Sequence, residues 1–233
     1  MTARRIAIFL RHGAYHQRPQ TPSAHQPFPL TPDGVEQARQ AAGLIDEMAQ
    51  EHDWHIHPVI QSSNLLRAWQ TADIISQGLE GIDRIEGVDA LAERGLGSAA
   101  NLTITQVEDI LRDDPRFDAP PKDWKSNSLY RLPLQGAESL MQAGERVAER
   151  VRSHMAGLAL DANAERAVAV LFVGHGVAFR HAAYALGALA FDDIAKLSMH
   201  HATPVALEVS AESAWRHAAG AWKVRAPKDR DLD

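Results

Sequence analysis

Hydrophobic and polar positions divide the chain into alternating strands and helices. Residues 5–10 and 168–173 are apolar without alternation, which is the pattern of strands buried on both faces in a parallel sheet. HPVIQSS at 57–63 predicts a further short strand. PVALEV (204–209) and AWKVRA (221–226) predict the last strands.

Predicted helices lie between these strands, where apolar residues recur at spacings of three and four. Thr31 as N-cap and Pro32 at the first helical position begin the first helix. The others are predicted from Ser62 or Ser63 to Gly78, over 138–160, and from His175 to Gly187. Strands alternating with helices predict an α/β fold, a three-layer sandwich whose mostly parallel central sheet has helices on both faces.

Two segments depart from this alternation. Residues 14–30 are rich in Pro, Gln and His and predict a long loop. From about 80 to 137 Asp, Pro and Lys are frequent, and only 103–115 predicts a helix. We expect this helical and loop excursion to cover the site. No repeat or linker divides the chain, so residues 1–233 are expected to form a single domain, with a frayed charged tail over 227–233.

Composition narrows the class of protein. The 233 residues are 45% hydrophobic and 23% charged, ordinary values for a globular chain. A net charge of -6 gives no basic footprint for nucleic acid. The apolar stretch over 167–179 is too short to span a membrane, and five apolar residues before Arg11 are too few for a signal peptide. The absence of cysteine fits a reducing compartment, so a cytoplasmic protein without a membrane partner is expected.

Candidate chemistry lies where the two most apolar strands end. RHG at 11–13 and GHG at 174–176 each place a histidine between or beside glycines just past a strand. Ligands of open α/β sheets bind at the carboxyl edge of the strands, so both histidines should face one crevice. Arg67, in the first turns of a helix, tilts toward the same edge. Each residue alone would be an ordinary loop or surface group. Together with Arg11 they indicate a phosphate site.

Six motifs in order connect this chain to a known family. They are FLRHG (9–13), LTPDGVEQAR (30–39), SSNLLRAWQTA (62–72), LAERGLG (91–97), GAESL (136–140) and FVGHG (172–176). In this order they resemble the histidine phosphatase superfamily, the phosphoglycerate mutase and acid phosphatase group. The resemblance runs from about residue 5 to 187.

The resemblance implies a role for each matched residue. His12 would be the nucleophile and would form a phosphohistidine. Arg11, Arg67 and His175 would bind the phosphoryl oxygens and stabilise the transition state, which gives His175 a catalytic role as well. Glu93 would be the acid and base of the mutase-like branch. No metal ion or other cofactor is implied, because the cationic side chains neutralise the phosphoryl charge.

Departures from the mutase pattern favour hydrolysis. Arg18 stands roughly where mutases carry an asparagine, and it is expected to join the phosphate site. The Arg-Arg pair with which mutases hold a second anionic group has no counterpart between 94 and 137. Val177 follows GHG where mutases tend to have asparagine. The expected activity is therefore a metal-independent phosphomonoester hydrolase acting on a small phosphorylated metabolite.

Three other functions stay open at this point: a phosphoglycerate mutase, a phosphoprotein phosphatase acting on phosphohistidine or phosphoserine, and a non-catalytic phosphate-binding module. Oligomeric state leaves no signal in the sequence. Of the adjacent His200 and His201, at most one is expected to reach the pocket, because neighbouring residues on a strand point to opposite faces. His55 and His57 share a predicted strand face but lack further metal ligands, so a solvated strand start is the favoured interpretation.

Overall fold

The computed structural model describes residues 4–22, 24–158, 166–210 and 213–225. The strands are β1 (Arg5–Arg11), β2 (Trp54–Ile56), β3 (Val59–Ser62), β4 (Arg84–Gly87), β5 (Ala167–Gly174), β6 (Leu197–Ser198), β7 (Pro204–Val209), β8 (Trp215–Gly220) and β9 (Lys223–Val224). The α-helices are α1 (Pro32–Glu51), α2 (Leu66–Gly78), α3 (Ile104–Asp113), α4 (Leu140–Gly157), α5 (Gly176–Ala185) and α6 (Phe191–Ile194). Short 3₁₀ turns cover Asp89–Leu91 and Gly97–Ala99.

The central sheet brings the two histidine motifs together. Its strand order is β4-β3-β5-β1-β7-β8, and β2 also pairs with β5. The two most apolar strands, β1 and β5, are parallel neighbours with Arg11 opposite Gly174. The N–H of His12 continues the ladder by donating to the carbonyl of Gly174 at 2.9 Å. His12 and His175 therefore leave the same sheet edge side by side, as the sequence predicts.

Two hydrophobic layers sandwich this sheet, which confirms the predicted three-layer α/β fold. One core lies between the sheet and helices α1 and α2 and includes Ile8, Ile45 and Ile75. The other lies between the opposite face and helices α4 and α5, and it includes Phe9, Val151 and Phe179. β1 contributes alternate residues to the two cores, so its apolar run without alternation reflects burial on both faces.

Helix α1 begins as predicted, whereas α2 does not. The hydroxyl of Thr31 accepts the N–H of Gly34 at 3.1 Å and caps α1. Helix α2 begins at Leu66, later than the predicted Ser62 or Ser63, and its N-cap makes no side-chain hydrogen bond. The hydroxyl of Ser63 instead lies 3.0 Å from a ring nitrogen of His175. The serine thus serves the histidine site.

The end of the chain differs from the prediction in one strand. Trp215–Gly220 forms β8, which the sequence does not predict because WRHAAG has no clear apolar alternation. It is held by antiparallel pairing with β7. Of the predicted 221–226 strand, the structure describes 221–225, and within that part only Lys223–Val224 is a strand; it pairs with β6 outside the central sheet. The predicted tail over 227–233 lies outside the described residues.

The excursion begins later than the predicted residue 80, because β4 pairs with β3 as a parallel edge strand of the central sheet. The chain leaves the sheet at residue 88. Residues 88–137, called the cap below, contain the predicted short helix as α3, which begins with a capping box at Thr103 and Gln106. A small core of its own surrounds the fully buried Trp124. Within the described residues, no helix is long and apolar enough to cross a membrane.

Candidate active site

His12 is buried at the end of β1, and its hydrogen bonds fix its tautomer. Nδ1 lies 2.7 Å from the carbonyl oxygen of Gly13, which can only accept, so Nδ1 carries the proton. Nε2 faces the Nε–H of Arg67 at 3.1 Å, and this N–H can only donate. The lone pair of Nε2 is therefore available on the pocket side of the ring, which is the form that a nucleophilic imidazole needs.

Arg67, in the first turn of α2, connects both histidines. Its Nη2 lies 3.2 Å from Nδ1 of His175 and donates to it. This leaves the proton of His175 on Nε2, which faces the hydroxyl of Ser63 at 3.0 Å. Nη1 of Arg67 donates to the carbonyl of Ala24 at 3.0 Å, so the loop over 14–30 also holds the guanidinium in place. One arginine thus contacts both rings, and it lies at the sheet edge that the tilt of helical side chains predicts.

Burial keeps both histidines neutral. It is the main cause that lowers the pKa of His12 well below its usual range, and the charges of Arg67, His175 and Arg11 act in the same direction. Burial likewise lowers the pKa of His175, with Arg67 and Arg11 adding to the effect. A neutral imidazole can attack an electrophile, whereas an imidazolium has no lone pair to use.

Two glycines explain why the RHG and LTPDG motifs occur together. A Cβ atom on Gly13 would overlap the carbonyl oxygen of Gly34, and one on Gly34 would overlap that of Ala14. The first turn of α1 therefore packs directly on the backbone that follows His12. The N–H of Gly13 donates to the hydroxyl of Thr71 at 3.1 Å, which ties the same backbone to α2.

A turn after β6 supports the histidine loop from its other side. The ring of His201 donates from Nδ1 to the carbonyl of His12 at 2.8 Å, and the two ring centroids lie 5.5 Å apart. The next residue, Ala202, has φ = 49°, a left-handed conformation that is strained for alanine. Its N–H donates to the carbonyl of Arg11 at 2.8 Å. Of the two adjacent histidines, His201 is thus the one at the site, and His200 is exposed.

Arg11 and Glu93 line the same pocket as His12. Nη1 of Arg11 donates to the carbonyl of Met199 at 3.0 Å. Glu93 follows the 3₁₀ turn at 89–91, and its Oε2 accepts the N–H of Val177 at 3.2 Å, at the N-terminal turn of α5. Sequence-predicted residues from three separate motifs therefore line one cavity, and the fully buried His175 of a fourth motif contacts Arg67.

The pocket is strongly cationic, and it spans about 690 Å³ when the space open to solvent at its mouth is included. Its lining comprises Arg11, His12, Tyr15, Gln17, Pro22, Ala24, Arg67, Glu93, Arg94, Lys125, Ser126, Leu140, Val177, Arg180 and Arg225. Among these described residues Glu93 is the one carboxylate, against six arginine and lysine side chains. Such a lining selects anions, and the cap contributes Arg94, Lys125 and Ser126 to it.

Arg18 does not join this cluster. Its side chain is exposed, and its guanidinium carbon lies 5.4 Å from the ring centroid of Phe28. The loop folds around the buried Gln26, whose Oε1 accepts the N–H of Arg18 at 2.7 Å. The structure therefore places Arg18 on the outside of the loop, away from the residues that line the pocket.

Two residues at the site, Tyr15 and Ser63, are not among the residues that the sequence predicts for it. A third, His201, has no role that the sequence predicts. Tyr15 stacks under Arg67, with the guanidinium carbon 4.5 Å from its ring centroid. Ser63 binds His175, and His201 binds the backbone of His12. Ser63 lies within the SSNLLRAWQTA motif, so the motif could have identified it as a site residue. Tyr15 and His201 have no comparable local pattern.

The paired histidines on the other side of the molecule are surface groups. His55 is exposed on β2, and Nδ1 of His57 accepts the N–H of Val59 at 3.2 Å. Over the described ranges, no group of three or more histidine, aspartate or glutamate side chains is arranged to hold a metal ion.

Comparison with known proteins identifies the family. The model of the histidine phosphatase superfamily (branch 1) matches residues 7–221. This chain belongs to that superfamily. Members of the superfamily are phosphatases or mutases. No protein with a curated description matches the chain significantly.

Solved structures of the superfamily share the fold. A mycobacterial glucosyl-3-phosphoglycerate phosphatase has 22% identity and a TM-score of 0.66, and the match covers 93% of this chain and 98% of the other. A phosphoserine phosphatase mutant from Entamoeba histolytica has 18% identity and a TM-score of 0.64, with 94% and 96% covered. A putative alpha-ribazole-5'-P phosphatase from Escherichia coli has 17% identity and a TM-score of 0.61, with 94% and 95% covered. At these identities the likeness shows the shared fold.

Proposed function

We propose that this protein is a phosphomonoester hydrolase that works through a phosphohistidine on His12 and takes a small phosphorylated metabolite as its substrate. The observation that carries the proposal is the state of His12. Its ring is buried, neutral and oriented with Nε2 toward the cationic pocket. A binding module would need the arginines but would have no use for an oriented nucleophile and a carboxyl group in the same pocket.

In the first step, Nε2 of His12 attacks phosphorus, and the bond between phosphorus and the ester oxygen breaks. The leaving alkoxide takes a proton from the carboxyl group of Glu93. The Nε–H of Arg67, which donates to Nε2 of His12, turns to a phosphoryl oxygen as the attack begins. Arg11 and Arg67 stabilise the charge on the phosphoryl oxygens, so no metal ion is required. His175, whose two ring nitrogens contact Arg67 and Ser63, holds the guanidinium of Arg67 in place.

In the second step, water attacks the phosphorus of the phosphohistidine. The carboxylate of Glu93 takes the proton of that water, and the bond between phosphorus and Nε2 breaks. Inorganic phosphate leaves, and both His12 and Glu93 return to their starting protonation states. The sum of the two steps is the hydrolysis of a phosphomonoester to an alcohol and phosphate.

Two features support hydrolysis of small substrates over the alternatives. The similar structures named above are described as phosphatases, and the Arg-Arg pair of the mutases has no counterpart over 94–137. Lys125 and Ser126 of the cap line the pocket, which favours a small phosphate ester over a phosphorylated segment of a folded protein.

The test is a panel of phosphomonoesters given to the purified protein in strong chelator, with phosphate and alcohol followed together. Quenching at alkaline pH preserves a phosphohistidine for peptide mapping. We expect phosphate release without added metal and a transient phosphoryl group on His12. Transfer of the phosphoryl group within the substrate would show a mutase. Loss of turnover in chelator that a divalent ion restores, or no phosphoryl group on His12, would overturn the proposed mechanism.

A further inference from the structure

The GAESL motif has no role in the mechanism above, yet its glutamate forms a specific ion pair. Glu138 lies just before α4, and Arg146 lies two turns into that helix. Nε and Nη2 of Arg146 donate to the two carboxylate oxygens of Glu138, both at 2.8 Å. A bidentate pair of this kind fixes the orientation of both groups.

The remaining hydrogen bonds of this pair go to the backbone that carries Glu93. Nη1 of Arg146 donates to the carbonyls of Ala90 and Ala92, at 2.8 and 3.1 Å. Oε2 of Glu138 accepts the N–H of Gly95 at 3.0 Å, and the N–H of Glu138 donates to the carbonyl of Gly95 at 2.9 Å. The ion pair therefore holds the chain immediately before and shortly after Glu93.

The backbone around Glu93 is not fixed by regular secondary structure. Residues 92–95 belong to neither a helix nor a strand. The carboxylate of Glu93 accepts the N–H of Val177 on α5 and the N–H of its own neighbour Arg94. Helices α4 and α5 pack so closely that a Cβ atom on Gly144 would overlap the side chain of His181. Arg146 on α4 and Val177 on α5 thus hold Glu93 from two helices that form one rigid unit.

The charge on Glu138 persists in the folded protein. Burial by itself would raise its pKa, but the hydrogen bonds from Arg146 and from the N–H of Gly95 outweigh burial and lower the pKa. The carboxylate consequently keeps its partner through the neutral range and into mildly acidic conditions.

We propose that Glu138 and Arg146 are positioning residues for the reaction: together they hold the carboxyl group of Glu93 at the place where the leaving oxygen departs. The inference rests on the proposed function, in which Glu93 is the acid. A purely structural pair would fasten the cap and affect every substrate alike. A positioning pair matters most where proton transfer matters most, because a displacement of about 1 Å can cost about 10²-fold in rate.

The experiment measures single-turnover phosphorylation of His12 by two substrates, an alkyl phosphate and nitrophenyl phosphate. The alkoxide needs a proton in order to leave, and nitrophenolate does not. We expect Arg146→Met to slow the alkyl substrate by roughly 10- to 100-fold, a part of the roughly 10²- to 10⁴-fold that positioned proton transfer supplies. Nitrophenyl phosphate should lose a much smaller factor. The readout is the rate with the alkyl phosphate divided by the rate with nitrophenyl phosphate, called the ratio below. In a Glu93→Gln background, Arg146→Met should not lower this ratio further, because both changes remove the same proton transfer.

Arg150→Met is the matched control. Arg150 lies one turn further along α4, is as buried as Arg146, and hydrogen-bonds to Gln61 and Glu86 away from the Glu93 segment. We expect it to leave the ratio of rates unchanged. Glu138→Gln keeps the size of the side chain and serves as the second variant if Arg146→Met does not fold. It should lower the ratio in the same direction.

The outcomes separate the two proposals. If Glu93→Gln lowers the ratio but neither Arg146→Met nor Glu138→Gln does, the positioning role is wrong and the hydrolase mechanism stands. Equal losses for both substrates in the Arg146 variant would also overturn it in favour of a structural pair. If Glu93→Gln leaves the ratio unchanged, Glu93 is not the acid, and the positioning role is overturned with that assignment.

Discussion

The inner and outer ends of the pocket are built in different ways. At the inner end, His12, Arg67 and His175 extend from elements of the central sheet and its helices, are buried, and hydrogen-bond to one another. At the outer end, Lys125 and Ser126 come from the cap, which packs around a separate small core. Ser126 is exposed and Lys125 is only partly buried.

The difference indicates that the two ends of the pocket have different functions. Displacing a group at the inner end disturbs the main cores of the protein, because its neighbours are core residues. The cap can change its surface while its own core around Trp124 stays intact. We therefore expect the inner end to determine the chemistry and the outer end to determine which alcohol is accepted. The following predictions rank from the largest expected effect to the smallest.

His12→Ala should reduce turnover to the background rate, because loss of a nucleophile costs on the order of 10⁶-fold in kcat. Binding of vanadate or phosphate, measured by calorimetry, should persist, since Arg11, Arg67 and His175 remain. Ser126→Ala in the cap is the control and should keep nearly full turnover of nitrophenyl phosphate. Near-normal rates in His12→Ala would remove the covalent mechanism.

Arg67→Lys should slow single-turnover phosphorylation by about 10²- to 10³-fold, the scale of losing a transition-state donor. Lysine keeps the charge but cannot reach both histidines and the carbonyl of Ala24 with one planar group. Arg39→Lys, an exposed change on α1, is the matched control. A rate within severalfold of the wild type in Arg67→Lys would contradict the role given to the guanidinium.

Lys125→Met tests the outer end. We expect KM to rise about fivefold for phosphoglycolate, whose carboxylate would pair with Lys125, and to change little for ethyl phosphate, which lacks the carboxylate. The fivefold rise corresponds to a loss of roughly 1 kcal/mol in binding free energy, the upper range for a partly exposed charge pair. Lys122→Met, an exposed lysine of the cap outside the pocket lining, is the control. A tenfold or larger fall in kcat with nitrophenyl phosphate would show that Lys125 takes part in the chemistry.

Acid should lower the free energy of unfolding, because it protonates the buried histidines of the inner end only after the chain unfolds. Burial lowers the pKa of His201 to about 4 and lowers those of His12 and His175 well below the usual range. Between the unfolded pKa of about 6.5 and these folded values, only the unfolded chain binds the extra protons, so stability falls as pH falls. Thermal unfolding in phosphate-free buffer at pH 7.5 and pH 5 should show a drop of several degrees.

His201→Asn should remove part of this drop, because one of the buried imidazoles is then absent. His55→Asn, a change on an exposed strand residue, is the control for altering a histidine. If the drop in His201→Asn equals that of the wild type, His201 does not contribute to it.

The sequence determined the fold class and the meeting of the main chemical groups. Long apolar runs identify β1 and β5 as strands buried on both faces, and the geometry of parallel sheets then places His12 and His175 at one edge. Arg67 follows from the tilt of side chains on a helix. These inferences succeed because they depend on local periodicity and on rules that hold for every parallel sheet.

Tertiary structure decided what local patterns do not encode. Arg18 turns outward because the loop folds around Gln26, although its position in the motif suggested the phosphate site. His201 reaches the backbone of His12 across 189 positions, which only the packing of the last strands can arrange. The proton positions on His12 and His175 likewise depend on Arg67, a group that is distant in sequence. A residue type fixes which reactions are possible, and long-range contacts fix the orientation and charge in which it meets its substrate.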